Sequence, residues 1–339
     1  MRALGFAVAA LAVAASGGAT RATILVDATV EARGGDGWIH LAQVIPDTAP
    51  AEATTGNPSL APLKWVGLLA IPDPTDKDPR AIVECTGQFI KPNVVLTAAH
   101  CLRDLADNPT GPWPDVTKGT FWLQYQNQEG APFKILCGAV NPLWTLPGNF
   151  ASMTTSQKGD ATLVADQHDF AMLLIDGESP TGVMPYALDW KGNYGYATRV
   201  GYASDILNGQ IVQKSGGALF FADAIPMLDK SYPGIVVQWA PTTNLTFGTS
   251  GGAWIVNFST AEGKDKNALI AVTSFQFTAY PGGEGAAYLT AAEFNPLLAY
   301  VAGGCKGTMV GTTPSPNPIP SGSSGGASRG GHASGGMQP

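Results

Sequence analysis

The chain has 339 residues, 45% apolar and only 13% charged, with 42 glycines, 26 prolines and a formal net charge of −7. That length can bury a large core, as one two-lobed unit or two small domains, and many turn formers with few charges favour short β-strands over helices. A mild acidic excess with no cluster of Lys and Arg excludes nucleic acid as the main partner, because phosphate binding needs clustered cations.

In chain order, the first feature is an export signal. Arg2 precedes an apolar run from Ala3 to Ala15, and small residues follow (Ser16, Gly17, Gly18, Ala19). The run is too short for a permanent membrane span and has the length of a secretory core. Residues 1–22 therefore read as a signal peptide, and the protein as secreted or periplasmic. Residues 23–59, rich in Ala, Thr and Pro, read as a propeptide or an N-terminal extension. From residue 60 to 303 the pattern is that of one folded region. Lys64–Ile71, Thr86–Ile90 and Val94–Thr97 read as strands, followed by short apolar runs at 120–125, 133–140, 161–165 and 170–175. A second set occupies 197–202, 210–213, 218–222, 234–239, 252–258 and 268–277. Short runs spaced by Gly, Pro, Asn and Asp predict a β-barrel or sandwich. A helix is expected within 290–303. It starts either at Thr290, with Glu293 completing a capping box, or at Asn295 with Pro296 in its first turn. Residues 311–339 are Gly, Ser and Pro with almost no apolar side chains and cannot order themselves by burial.

Four cysteines, Cys85, Cys101, Cys137 and Cys305, suggest two disulfides in an exported chain, and three pairings are open. There is no Cys-x-x-Cys pair and the four histidines are scattered, so no metal site is expected.

Three stretches carry the chemistry: Leu96-Thr97-Ala98-Ala99-His100-Cys101, His168-Asp169-Phe170-Ala171-Met172-Leu173-Leu174 and Gly248-Thr249-Ser250-Gly251-Gly252. Each alone is weak, since a lone His or Asp beside a strand is more often structural. Together they offer a nucleophile, a base and a carboxylate. Serine is a poor nucleophile at neutral pH and needs an adjacent base; imidazole fits, and a carboxylate must fix its tautomer. The order His100, Asp169, Ser250 is that of the chymotrypsin arrangement. His168 reads as a surface or structural neighbour of Asp169 rather than a catalytic residue. His40 and His332 fall outside the folded region, leaving His100 as the base.

These stretches resemble the chymotrypsin/trypsin-like serine peptidases, and more closely the bacterial branch that includes the glutamyl endopeptidases. Cys85-Thr86-Gly87-Gln88-Phe89-Ile90, running into Val94–Cys101, resembles the first-barrel signature. Asp169–Leu174 resembles the stretch that opens on the acid, and Ser250-Gly251-Gly252 the nucleophile loop. The resemblance covers about residues 63–303. It implies an all-β fold of two packed six-stranded antiparallel barrels, about 60–180 and 185–290, with the active site between them and a C-terminal helix at about 290–303. It pairs Cys85 with Cys101, leaving Cys137 with Cys305. It implies an oxyanion hole from the backbone N–H groups of Gly248 and Ser250, and a substrate pocket bordered by Thr246, Thr273, Ser274 and Gln276.

Departures from the pattern bear on specificity. Thr249 stands where vertebrate digestive members have an Asp that pairs with a freshly cut N-terminus. Thr273 falls where glutamyl-specific members carry a His. Asn244 and Leu245 lie where a Lys/Arg-specific pocket would need an Asp. A neutral preference at the residue preceding the cut bond is therefore expected. The resulting expectation is a monomeric endopeptidase acting on polypeptides without cofactor or metal. An inactive binding protein on the same fold, or an esterase with the same triad, is the alternative.

Overall fold

A computed structural model of the chain describes residues 54–73, 81–103, 105, 114–127, 129–191, 197–207, 210–213, 220–224, 227–228, 232–239, 248–263, 266–276 and 283–306. Residues 1–22, read above as a signal peptide, most of 23–59 and the Gly/Ser/Pro tail lie outside these residues.

In chain order the strands are β1 (Thr54–Thr55), β2 (Val66–Pro72), β3 (Ile82–Lys91), β4 (Val94–Thr97), β5 (Thr120–Gln126), β6 (Glu129–Val140) and β7 (Ala171–Ile175). They continue with β8 (Ala197–Gly201), β9 (Ser204–Leu207), β10 (Gln210–Gln213), β11 (Phe220–Ala224), β12 (Met227–Leu228), β13 (Ile235–Trp239), β14 (Ala253–Val256), β15 (Ala268–Gln276) and β16 (Gly283–Tyr288). Two α-helices, α1 (Thr155–Asp166) and α2 (Ala291–Ala302), complete the set.

Strands β2 to β7 close a six-stranded barrel in the order β2-β3-β4-β7-β6-β5. The second half holds an eight-stranded antiparallel sheet in the order β1-β11-β8-β14-β15-β16-β13-β12, and β9 and β10 pair separately as a two-stranded hairpin. The strand β1, from the stretch read as propeptide or extension, is thus built into the second sheet: Thr54 pairs with Phe221 and Thr55 with Phe220.

Strands β7 and β14 are apolar on both faces because both of their faces are covered. In β7, Ala171, Leu173 and Ile175 fill the barrel with Leu69, Phe89, Phe121 and Leu123. Phe170 and Met172 face outward onto a second core shared with Phe294, Leu297 and Val301 of α2. In β14, Ala253 and Ile255 join that shared core, while Trp254 and Val256 face the opposite side. Such strands read as continuous apolar runs rather than as alternation. The side of the second sheet that carries Trp254 also holds a buried ion pair, Arg199 of β8 with Glu284 of β16. Buried charges persist only when paired, and this pair links two strands that are not neighbours.

Two sequence expectations are corrected. The run 161–165, read among the strands, is the C-terminal half of α1. The helix is started by a capping box, with Thr154 Oγ1 accepting from Gln157 N–H and Gln157 Oε1 accepting from Thr154 N–H. That cap lies seven residues upstream of the apolar run, outside a strand-length window. In α2 the N-cap is Thr290, but its side chain makes no capping bond. Glu293 turns instead to His168 Nδ1 at 2.8 Å and Asn141 Nδ2 at 2.5 Å. The fully buried Asn141 amide and the His168 imidazole outcompete the cap, leaving the buried Thr290 hydroxyl without a hydrogen bond.

Both disulfides implied by the resemblance are present: Cys85–Cys101 and Cys137–Cys305, separated by 16 and 168 residues. The second ties the end of α2 to β6. By the chain-entropy model a loop that long contributes up to about 5 kcal/mol. The double variant Cys137→Ser with Cys305→Ser is expected to lose several kcal/mol in denaturant unfolding without losing the barrel's own Cys85–Cys101 link. An unchanged midpoint would show that α2 is held by packing alone.

Candidate active site

His100 sits in the turn that leaves β4, one residue before the Cys101 disulfide that ties this turn to β3. Asp169 lies between α1 and β7 and is completely buried. The two meet twice: His100 N–H donates to Asp169 Oδ1 at 2.8 Å, and His100 Nδ1 lies 2.6 Å from Asp169 Oδ2. A carboxylate only accepts, so Nδ1 carries a proton toward Asp169, and whenever the imidazole is neutral Nε2 is its acceptor. Ser274 of β15 donates to Asp169 Oδ2 at 2.5 Å. Burial by itself would raise the Asp169 pKa. The His100 charge and hydrogen bonds, with that of Ser274, outweigh it and hold the carboxyl below its ordinary 3.8.

Asp169 is held from both flanks. On one side α1 bridges to the second sheet: Leu163 and Val164 pack on Tyr232, Ile235 and Phe275, and Gly234 N–H donates to Gln167 Oε1 at 3.1 Å. On the other side α2 holds its neighbours, Glu293 through His168 and Phe294 through the Phe170 ring. His168 thus ties the residue before Asp169 to α2.

Ser250, partly buried, lies in the turn before β14. This loop is seated directly on β3, the strand that pairs with β4. Thr86 N–H donates to Ser250 O at 2.8 Å, Thr86 Oγ1 to Gly248 O at 2.8 Å and Gln88 Nε2 to Gly251 O at 3.1 Å. From the other side, Gly251 N–H donates to Thr273 O and Thr273 N–H to Gly252 O, each at 2.8 Å. Gly252 N–H donates to Thr249 O at 2.8 Å. That last bond turns the carbonyl of the Thr249–Ser250 peptide inward, so the Ser250 N–H of the same planar unit points the opposite way.

Gly248 and Gly251 have φ of +86° and +79°, a region in which glycine bears no steric penalty. At Gly251 there is also no room: a Cβ would lie 2.3 Å from Thr97 Oγ1, 2.5 Å from Thr86 O and 2.6 Å from Ala98 N. Gly251→Ala is expected to push the loop off β3 and β4, lowering kcat by about 100-fold or more through the lost N–H alignment. Kinetics on the folded variant check this; retention of near-full activity would show that the close approach is unnecessary.

Of the proposed pocket residues, Thr273 and Ser274 are buried on β15 beside this loop, and the Thr273 hydroxyl accepts from Trp254 Nε1 at 3.0 Å. Gln276 ends β15, and Thr246 lies outside the described residues, as do Asn244 and Leu245. Cys85, His100 and Cys101 lie close enough together to hold an ion. Both sulfurs are in the disulfide, so no thiolate is available and the group does not fit a metal. Thr86 and Gln88 were not singled out from the sequence. Their signal is visible in hindsight as two polar residues at alternate positions of β3, after Glu84, and both are fully buried.

No protein-family model matches the chain, and no curated protein does. Solved structures do. The protease Anisep from Arthrobacter nicotinovorans superposes with a TM-score of 0.53 at 15% identity, over 74% of this chain and 99% of that one. A Glu endopeptidase gives 0.51 at 16% identity, over 74% and 96%. A thermostable serine protease, AL20, from an extremophilic microorganism gives 0.51 at 16%, over 72% and 98%. The fold is that of the chymotrypsin-like serine proteases, a closed six-stranded barrel followed by a second antiparallel β unit. At these identities the likeness is one of fold, and the chemistry rests on this chain's own residues.

Proposed function

We propose that this protein is a serine endopeptidase working through an acyl-enzyme on Ser250. The observation that carries the reading is the seating of the Ser250 loop on β3, one strand away from the His100–Asp169 pair. Ser250 Oγ attacks the substrate carbonyl carbon and its proton passes to His100 Nε2. Asp169 holds the ring and stabilises the imidazolium. The oxyanion is received by the N–H groups of Gly248 and Ser250. As the C–N bond breaks, His100 gives the proton to the leaving amine. Water, deprotonated by His100, then attacks the ester carbon, and Ser250 leaves with that proton.

Thr246, Thr273, Ser274 and Gln276 are the proposed border of the pocket ahead of the cut bond, with a neutral preference. Support comes from β15, whose Thr273 backbone brackets Gly251 and Gly252. Two disulfides fit an oxidising destination, secreted or periplasmic, and a monomer is proposed. No helix among the described residues is long and apolar enough to cross a membrane.

The test is a panel of fluorogenic peptides differing only at the residue before the cut, with matched nitrophenyl esters. Amide cleavage with a neutral preference of about tenfold or more over Lys, Arg and Glu is expected, a margin within reach of one pocket contact. Cleavage of esters alone would replace the peptidase with an esterase. No cleavage of either would favour a binding protein.

A further inference from the structure

We propose that Thr86 is a positioning residue for the oxyanion-binding loop, an inference that rests on the hydrolase reading above. Thr86 is fully buried in β3 and stands where four segments meet. Its N–H donates to Ser250 O at 2.8 Å and its carbonyl accepts from Thr97 Oγ1 of β4 at 2.8 Å. Its hydroxyl accepts from Tyr202 N–H, just past β8, at 2.9 Å and lies 2.8 Å from Gly248 O.

The polarity of that hydroxyl is fixed. Tyr202 N–H can only donate and Gly248 O can only accept, so the single hydroxyl proton points at Gly248. One residue therefore grips the loop at two carbonyls, on either side of Thr249. The grip matters most at Gly248. A glycine at φ +86° has no side chain to bias its ψ, so an external contact must choose it. The Gly248–Thr249 peptide, whose carbonyl Thr86 holds, lies between the two peptides that carry the Gly248 and Ser250 N–H groups, and Thr249 O is held by Gly252 N–H, so fixing Gly248 ψ sets the angle between those two donors. Without the hydroxyl, a buried carbonyl and a buried N–H both lose their partner, and another rotation of the Gly248 peptide becomes competitive. Thr86 touches no reacting atom, so its effect is on the geometry of the donors.

The experiment compares the processed protein with Thr86→Val, which keeps the shape and removes the hydroxyl, and Thr86→Ser, which keeps the hydroxyl. One peptide substrate serves for kcat and KM, with thermal unfolding measured alongside. The valine variant is expected to lose roughly 10- to 100-fold in kcat with KM changed less than about threefold, because the lost donors act mainly in the transition state. The serine variant should recover to within about threefold. If valine does not fold, Thr86→Ala carries the same expectation, since it too lacks the hydroxyl. An unchanged kcat in a hydroxyl-free variant, or a serine variant as poor as valine, overturns the inference. No turnover by the unsubstituted protein overturns both this inference and the hydrolase reading.

Discussion

Ser250→Ala is expected to lower peptide hydrolysis by about a million-fold, the scale seen when the nucleophile of such a triad is removed. The fold should hardly notice. The loop is held through the carbonyls of Gly248, Ser250 and Gly251 and the N–H groups of Gly251 and Gly252, none of which alanine disturbs. Unfolding free energy should stay within about 0.5 kcal/mol, as for a substitution that breaks no buried network. Residual catalysis over water should persist, because the oxyanion donors and substrate binding remain. A variant that keeps more than about a hundredth of the activity would point to another nucleophile, since loss of the true one costs far more.

Asp169→Asn has the second largest expected effect, about 10,000-fold in kcat at neutral pH. The carboxylate accepts from His100 N–H, His100 Nδ1 and Ser274 Oγ. An amide has one acceptor oxygen, and its NH2 facing the ring would move the imidazole proton to Nε2, the atom that must accept from Ser250. The same substitution changes the response to acid. The folded pKa of Asp169 lies below its ordinary 3.8, so its contribution to stability is complete above that value and is lost as pH falls through the depressed one. Melting curves from about pH 6 to pH 2 should show the unsubstituted protein losing more stability at the acid end than the Asn variant. Parallel curves would mean that Asp169 is no more acidic in the folded protein than in the unfolded chain.

The candidate site was legible in the sequence where its signals are local. His100 follows a recognisable strand, Asp169 opens another and Ser250 sits in a glycine loop, so their order and flanks carry a signal. The strands of the first barrel were legible for the same reason. What was not legible is contact across distance. Thr86 and Gly248 are 162 residues apart, and nothing in a strand-length window says that this strand will meet that loop. The pairing of β1 with β11 is equally remote. At Glu293 the local pattern pointed to a capping box, and tertiary partners, His168 and buried Asn141, won. At 161–165 an apolar pentapeptide fits strand or helix, and only the upstream Thr154/Gln157 cap decides.

The most direct measurement is covalent labelling. The processed protein is treated with a fluorophosphonate, digested and mapped by mass spectrometry, with a His100→Ala variant alongside. One adduct per chain is expected, on Ser250, and almost none when His100 is absent. An adduct on another residue, or Ser250 labelled equally well without His100, would contradict a nucleophile activated by that imidazole.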